Sequence, residues 1–238
     1  AFAALRANEL DLVAAPAPPE LVSSLVRRTG LAVRQGKENG VNAVEMRLNF
    51  DRAPLSDPEF RRAIAFAVKP GEVLQRIALG QGTTGSFPAP VSPWTKPGLQ
   101  QLGDDPVAAA SILDAKGFRD RNGDGFREDA HGKPLRFSLK VTTTEPLHQR
   151  AAQVVARQLK AVGLQVHIDL VDPARSRALY TTRQFDLMIG DVTPHTLADP
   201  DQFMQSVMGG YLWRDGRSYP ELEALIKDWR AATTAEAR

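Results

Sequence analysis

The chain has 238 residues, enough for one large domain or two small ones, and its 42% hydrophobic and 24% charged content is that of an ordinary globular protein. Its 30 basic and 28 acidic residues leave a net charge of +2, and the bases are dispersed, which excludes a nucleic-acid surface built on a basic stripe. There is no cysteine, so disulfides, thiolate catalysis and cysteine-ligated metal are excluded, and no apolar run approaches the roughly 20 residues needed to span a bilayer.

Residues 1–10 read as a helix and 11–15 as a short apolar strand, with Asn8 able to take the left-handed conformation that ends a helix. A Pro-rich turn at 15–19 leads into a helix from Pro19 or Glu20 through Leu21, Leu25 and Val26 to Arg28. Residues 31–33 and 43–50 read as strands, separated by the hairpin-like turn QGKENG. In the second strand Val44, Met46, Leu48 and Phe50 alternate with Glu45, Arg47 and Asn49, so one side is buried. The chain begins without Met inside an apparent helix and stops inside another, so both ends read as cuts, and a targeting signal would be lost with the missing piece.

The stretch 48–79 reads as a strand end, a turn, a helix, a break and a second helix. Ser56 or Asp57 can cap the first helix, Pro58 suits its first position, and Phe60, Ile64, Ala67 and Val68 make its apolar face. Pro70 opens the second helix, Val73, Leu74 and Ile77 give it a buried side, and Gly80 can end it. An irregular Gly- and Pro-rich loop over 80–98 holds Phe87 and Trp94, and Asp105-Pro106 starts a third helix closed by Gly117. Leu135, Phe137, Leu139 and Val141 form a strand. The amphipathic helix 146–162 buries Leu147, Ala151, Val154, Val155, Leu159 and Val162, and Leu164, Val166, Ile168 and Leu170 form the next strand. Strand, helix, strand in that order is a βαβ unit, so the fold class is α/β, or mixed α+β. Residues 175–182 read as helix, 185–189 as a short buried strand, 191–201 as a loop and 203–207 as a brief helix before a Gly-Gly turn, with Pro220 opening the last helix.

Candidate chemistry is sparse. Asp120, Asn122, Asp124 and Gly125 match the opening of an EF-hand calcium loop, but the position of its bidentate Glu is His131 and no flanking helix pair is evident. The alternative is a polar hairpin turn before the strand at Leu135. His131, His148, His167 and His195 are the only histidines, with no i, i+4 pair, so a zinc hydrolase is not expected; surface positions are expected for His148 and His167. The Gly-rich 80–85 segment lacks the Lys of a phosphate loop. Asp191, Asp199 and Asp201 cluster in one loop, where they could do acid–base work, although Asp199 before Pro200 reads better as a helix cap.

Several phrases carry a family resemblance: LRANELDLV near the start, the PLSDP and RRAIAFAV pair, PAPVSPW, DPVAAASILDAKGF, and FDLMIG followed by DPDQFM and YPELEALI. Together they resemble the extracytoplasmic solute-binding proteins, family 5, of peptide and nickel ABC importers. The resemblance implies a truncated lobe of type II periplasmic-binding-protein kind, with residues 1–47 as the tail of a first lobe and 48–238 as most of a second forming one wall of a ligand cleft. It also favours the plain turn at Asp120, since relatives carry similar GDG turns without needing calcium. Family members capture a peptide or similar small solute by hinge closure and present it to a membrane permease, without cofactor or catalysis. Carried over, the ligand wall would hold Asn49, Trp94, Thr143, Thr144, Arg183, Asp191, Thr193 and His195. Asp191 stands where peptide binders place an aromatic after Gly190, and the three threonines at 142–144 stand where dipeptide binders present an Arg, so the usual dipeptide contacts are not reproduced. An extracytoplasmic, membrane-anchored monomer is the implied setting. The alternatives are a ligand-sensing lobe of a regulator and a hydrolase using the acids of the Asp191 loop.

Overall fold

A computed structural model describes residues 1–13, 17–34, 43–85, 98, 102–192 and 220–234. Its strands are β1 (Ala43–Leu48), β2 (Arg136–Thr142), β3 (Gln165–Val171) and β4 (Leu187–Val192). Its helices are α1 (Phe2–Arg6), α2 (Pro19–Val26), α3 (Pro58–Ala67), α4 (Pro70–Ala78), α5 (Pro106–Ala115), α6 (Pro146–Ala161), α7 (Pro173–Thr181) and α8 (Pro220–Ala231).

The strands make one mixed sheet in the order β1-β4-β2-β3. β2 runs parallel to both β3 and β4, and β1 lies antiparallel along β4 with Leu48 opposite Leu187 and Val44 opposite Asp191. The expected unit β2–α6–β3 is therefore present. Alternation decides which side of each strand is buried: Phe137, Leu139 and Val141 of β2 join Leu187 and Ile189 of β4 and Ala152, Val155 and Leu159 of α6 in a single core. Phe60 of α3 is fully buried in that core, edge-on to Phe118 at 5.2 Å between centroids and 5.9 Å from Phe137.

Three helices start with the same device. Asp57, Asp105 and Asp172 each precede a Pro at the first helical position, and each side chain accepts a backbone N–H two or three residues on, from Glu59, Ala108 and Arg175, at 2.9 Å. Of the two caps expected for α3, Asp57 is the one used.

The structure departs from expectation at several places. α1 stops at Arg6 rather than near residue 10, and Asn8 adopts the left-handed conformation at φ 60°. Residues 11–13 and 31–34 are irregular rather than stranded, and among the described residues neither run has a neighbouring strand to pair with. β4 runs two residues past its expected start and on through Asp191, because β1 pairs with it to the end. Leu170, expected to be buried, is 56% exposed on the edge strand β3, and Leu147, in the first turn of α6, is also exposed. The expected lobe division after residue 47 falls within β1, which pairs with β4 along its length. The expected 203–207 helix, the Gly-Gly turn and most of the 80–98 loop lie outside the described residues.

Candidate functional site

In sheets of parallel strands, ligands are met at the carboxyl ends. Here that end is formed by Asp191 at the end of β4, Thr143 and Thr144 following β2, and the first turn of α6. His148 lies in that first turn. It is 5% exposed, not on the surface as expected, and its Nε2 donates to Asp191 Oδ1 at 2.7 Å. The parity of β1–β4 pairing explains the meeting: Asp191 lies opposite Val44 and in step with Ile189, so its side chain emerges on the side of the sheet that α6 covers. Its carboxylate is partly open to solvent, with 42% of the side chain exposed. Thr143 and Thr144 are exposed just beyond, and the carbonyls of Thr142 and Thr143 accept from Gln149 Nε2 at 3.1 and 3.0 Å.

The opposite face of the same strands carries a second polar group. Glu45 and Arg47, two apart on β1, form an ion pair, and Arg47 also donates to the Asp191 carbonyl at 2.7 Å. The Arg47 guanidinium lies over the Tyr180 ring, 4.8 Å from its centroid, and covers Gly190, where a Cβ would meet it at 3.3 Å. Burial pushes the Glu45 carboxyl above its usual range. Arg47 opposes that shift, and the charge of Asp191 adds to it.

The expected ligand wall is divided between two ends of the sheet. Asn49 and Arg183 sit at the end remote from Asp191, about 16 Å along β4 at about 3.3 Å per residue. Asn49 is fully buried. Its Nδ2 donates to the carbonyls of Arg183 and Phe185, both at 2.8 Å, and its Oδ1 accepts from Asp51 N at 3.1 Å. The amide thus clamps the chain entering β4 from a fully buried position. Arg183 occupies the left-handed region at φ 55°, and its Nη1 lies 3.2 Å from Asp51 Oδ2. Trp94, Thr193 and His195 lie outside the described residues, as do Asp199 and Asp201. His148 and the Glu45–Arg47 pair are the additions that sequence reasoning did not place here. A Glu-x-Arg alternation on the polar side of a strand was the one available indication for the pair.

The sheet with its flanking helices, and the polar group at its carboxyl end, make a mixed α/β unit. The chain belongs to the bacterial extracellular solute-binding proteins of family 5, whose sequence profile (family 5 Middle) matches residues 1–213. It is 22% identical to the Heme-binding protein A of Haemophilus influenzae over 209 residues, covering 87% of this chain and 36% of that protein. It is 27% identical to the Oligopeptide-binding protein AppA of Bacillus subtilis over 119 residues, covering 49% and 22%. In structure it resembles the periplasmic oligopeptide-binding protein of an oligopeptide ABC transporter from Thermotoga maritima, at 25% identity and a TM-score of 0.79 over 99% of this chain and 47% of that one. NikA from Brucella suis, in complex with Fe(III)-EDTA, shares the fold at 22% identity and a TM-score of 0.77, over 99% and 48%. The fold is that of type II periplasmic binding proteins. The chain spans between about a fifth and a half of the length of these relatives. Among the described residues no helix is long and apolar enough to cross a membrane.

Proposed function

We propose that the intact protein is the substrate-binding component of an ABC importer, which closes over a peptide or similar small solute and delivers it to a membrane permease. The observation that carries this reading is the family match across residues 1–213. In this reading residues 43 onward supply most of one lobe, residues before β1 belong with the other, and the ligand is held between them by hinge closure. The carboxyl ends of β2 and β4 form the wall, with Asp191, Thr143 and Thr144 facing the cleft; Trp94, Thr193 and His195 are further ligand candidates carried by the family resemblance of the sequence. Asp191 is held by His148 while 42% of its side chain stays exposed, so it is the natural partner for a cationic or hydrogen-donating group of the ligand. The protein works as a membrane-anchored extracytoplasmic monomer, with no catalytic step.

The test is a thermal-shift screen of the full-length protein against pools of di- to nonapeptides, nickel–histidine and haem, followed by small-angle scattering with any hit. A raised Tm together with a smaller radius of gyration is the expected result. A hit that raises Tm without compaction would remove the clamp mechanism.

A further inference from the structure

We propose that the loop 120–128, between α5 and β2, is a calcium site that locks the base of the lobe. One carboxylate oxygen from each of Asp120, Asp124 and Glu128 lies within 4.8 Å of the others. Among the described residues none of the three is ion-paired to a cation. Arg121, next to Asp120, instead sends its guanidinium to the carbonyls of Gly117, Glu128 and Asp129, and Arg127, next to Glu128, turns to Asp114 and the Phe118 carbonyl.

Glu128 carries the inference. It is 2% exposed, its Oε2 accepts from Arg121 N at 2.8 Å, and its Oε1 is buried with no partner. A carboxylate oxygen removed from water and left unpaired is costly, and a cation at the cluster would satisfy it. The spacing is that of a calcium loop: Asp120, Asn122 and Asp124 occupy the first, third and fifth positions, and Gly125 makes the sharp turn at the sixth with φ 87°. The backbone carbonyl of Phe126 stands at the seventh position. Glu128 falls at the ninth, so its carboxylate replaces the acid missing at the twelfth, where this chain has His131. Oxygen-only ligands at this loop spacing favour calcium over magnesium, which demands a stricter octahedron.

The loop has something to lock. Glu128 bridges to Arg119 and Pro134, Arg127 N donates to the Gly163 carbonyl at 2.8 Å, and Leu135 N donates to the Arg127 carbonyl at 2.8 Å. Calcium bound here would tie the end of α5, the start of β2 and the turn before β3 together, at the end of the sheet remote from Asp191.

The test is calorimetric titration of the full-length protein, stripped with EDTA, with CaCl2, alongside melting in about 10 mM CaCl2 and in NaCl of matched ionic strength. The expected result is one site with a Kd of about 10⁻⁵–10⁻³ M, and a Tm raised by a few degrees by calcium but not by NaCl. Asp124→Asn, at an exposed position, should keep the Tm measured in EDTA and lose at least about tenfold in calcium affinity. Glu128→Gln should remove the buried charge, melt in EDTA no lower than the natural protein, and lose the calcium response. No binding heat and no calcium-specific rise in Tm would overturn the proposal, as would unchanged calcium affinity in Asp124→Asn.

Discussion

His148 Nε2 and Asp191 Oδ1, 43 residues apart in sequence and 2.7 Å from one another, join the first turn of α6 to the carboxyl end of β4. Because His148 is buried while Asp191 is partly solvated, removing one partner is not equivalent to removing the other. Asp191→Ala leaves a buried imidazole nitrogen without an acceptor and is expected to cost about 1–3 kcal/mol, whereas Asp191→Asn keeps an acceptor oxygen and should cost less. Urea denaturation of Asp191→Ala, His148→Ala and the double variant should give a coupling of about 0.5–3 kcal/mol. A coupling near zero would mean the pair does not hold the strand end to the helix.

Asn49 offers a sharper contrast. Its Nδ2 faces two carbonyls at 2.8 Å in a fully buried site. Asn49→Ala is expected to lose about 2–3 kcal/mol, and Asn49→Asp more, because a carboxylate oxygen would then face two acceptors. If Asn49 served only a ligand, both variants would unfold at the midpoint of the natural protein.

Much of this arrangement was legible in the chain itself. Asp followed by Pro marks the start of α3 and α5, and the alternation in β2 and β3 around the amphipathic α6 specifies the βαβ unit. What could not be read is what depends on pairing between distant segments. The antiparallel partnership of β1 with β4 extends β4 through Asp191 and turns that carboxylate toward α6. His148 has a polar side chain in a first turn, where exposure is the ordinary outcome, and its burial follows only once Asp191 is placed. The runs 11–15 and 31–33 are apolar enough for strands, but strands need neighbours, and among the described residues these have none.

Two acids should make opposite contributions to stability against pH. Hydrogen bonding from Lys116, 2.7 Å away, and from the start of α3 holds the Asp57 carboxyl below its usual range. Its folded value is depressed, so its stabilisation is present above the unfolded value of about 3.9 and is lost as pH falls through the folded value. Asp57→Asn keeps a good cap and should lose only the Lys116 pair, while Asp57→Ala should cost about 1 kcal/mol more. Burial raises the Glu45 carboxyl instead. Its favourable contribution is complete below the unfolded value of about 4.3 and is lost as pH rises through the folded value. The stability of Glu45→Gln relative to the natural protein should therefore rise with pH across that window, as read from urea midpoints between pH 4 and pH 7. A flat difference would mean that Glu45 is as well solvated folded as unfolded.

The measurement that bears most directly on the receptor reading is native mass spectrometry of the full-length protein, purified without denaturation, with identification of any small molecule it releases. The expected result is a monomer carrying one peptide or comparable small solute, retained by the natural protein and depleted in Asp191→Ala. An apo monomer whose Tm is unmoved by peptide pools, nickel–histidine or haem would contradict a solute-capturing role.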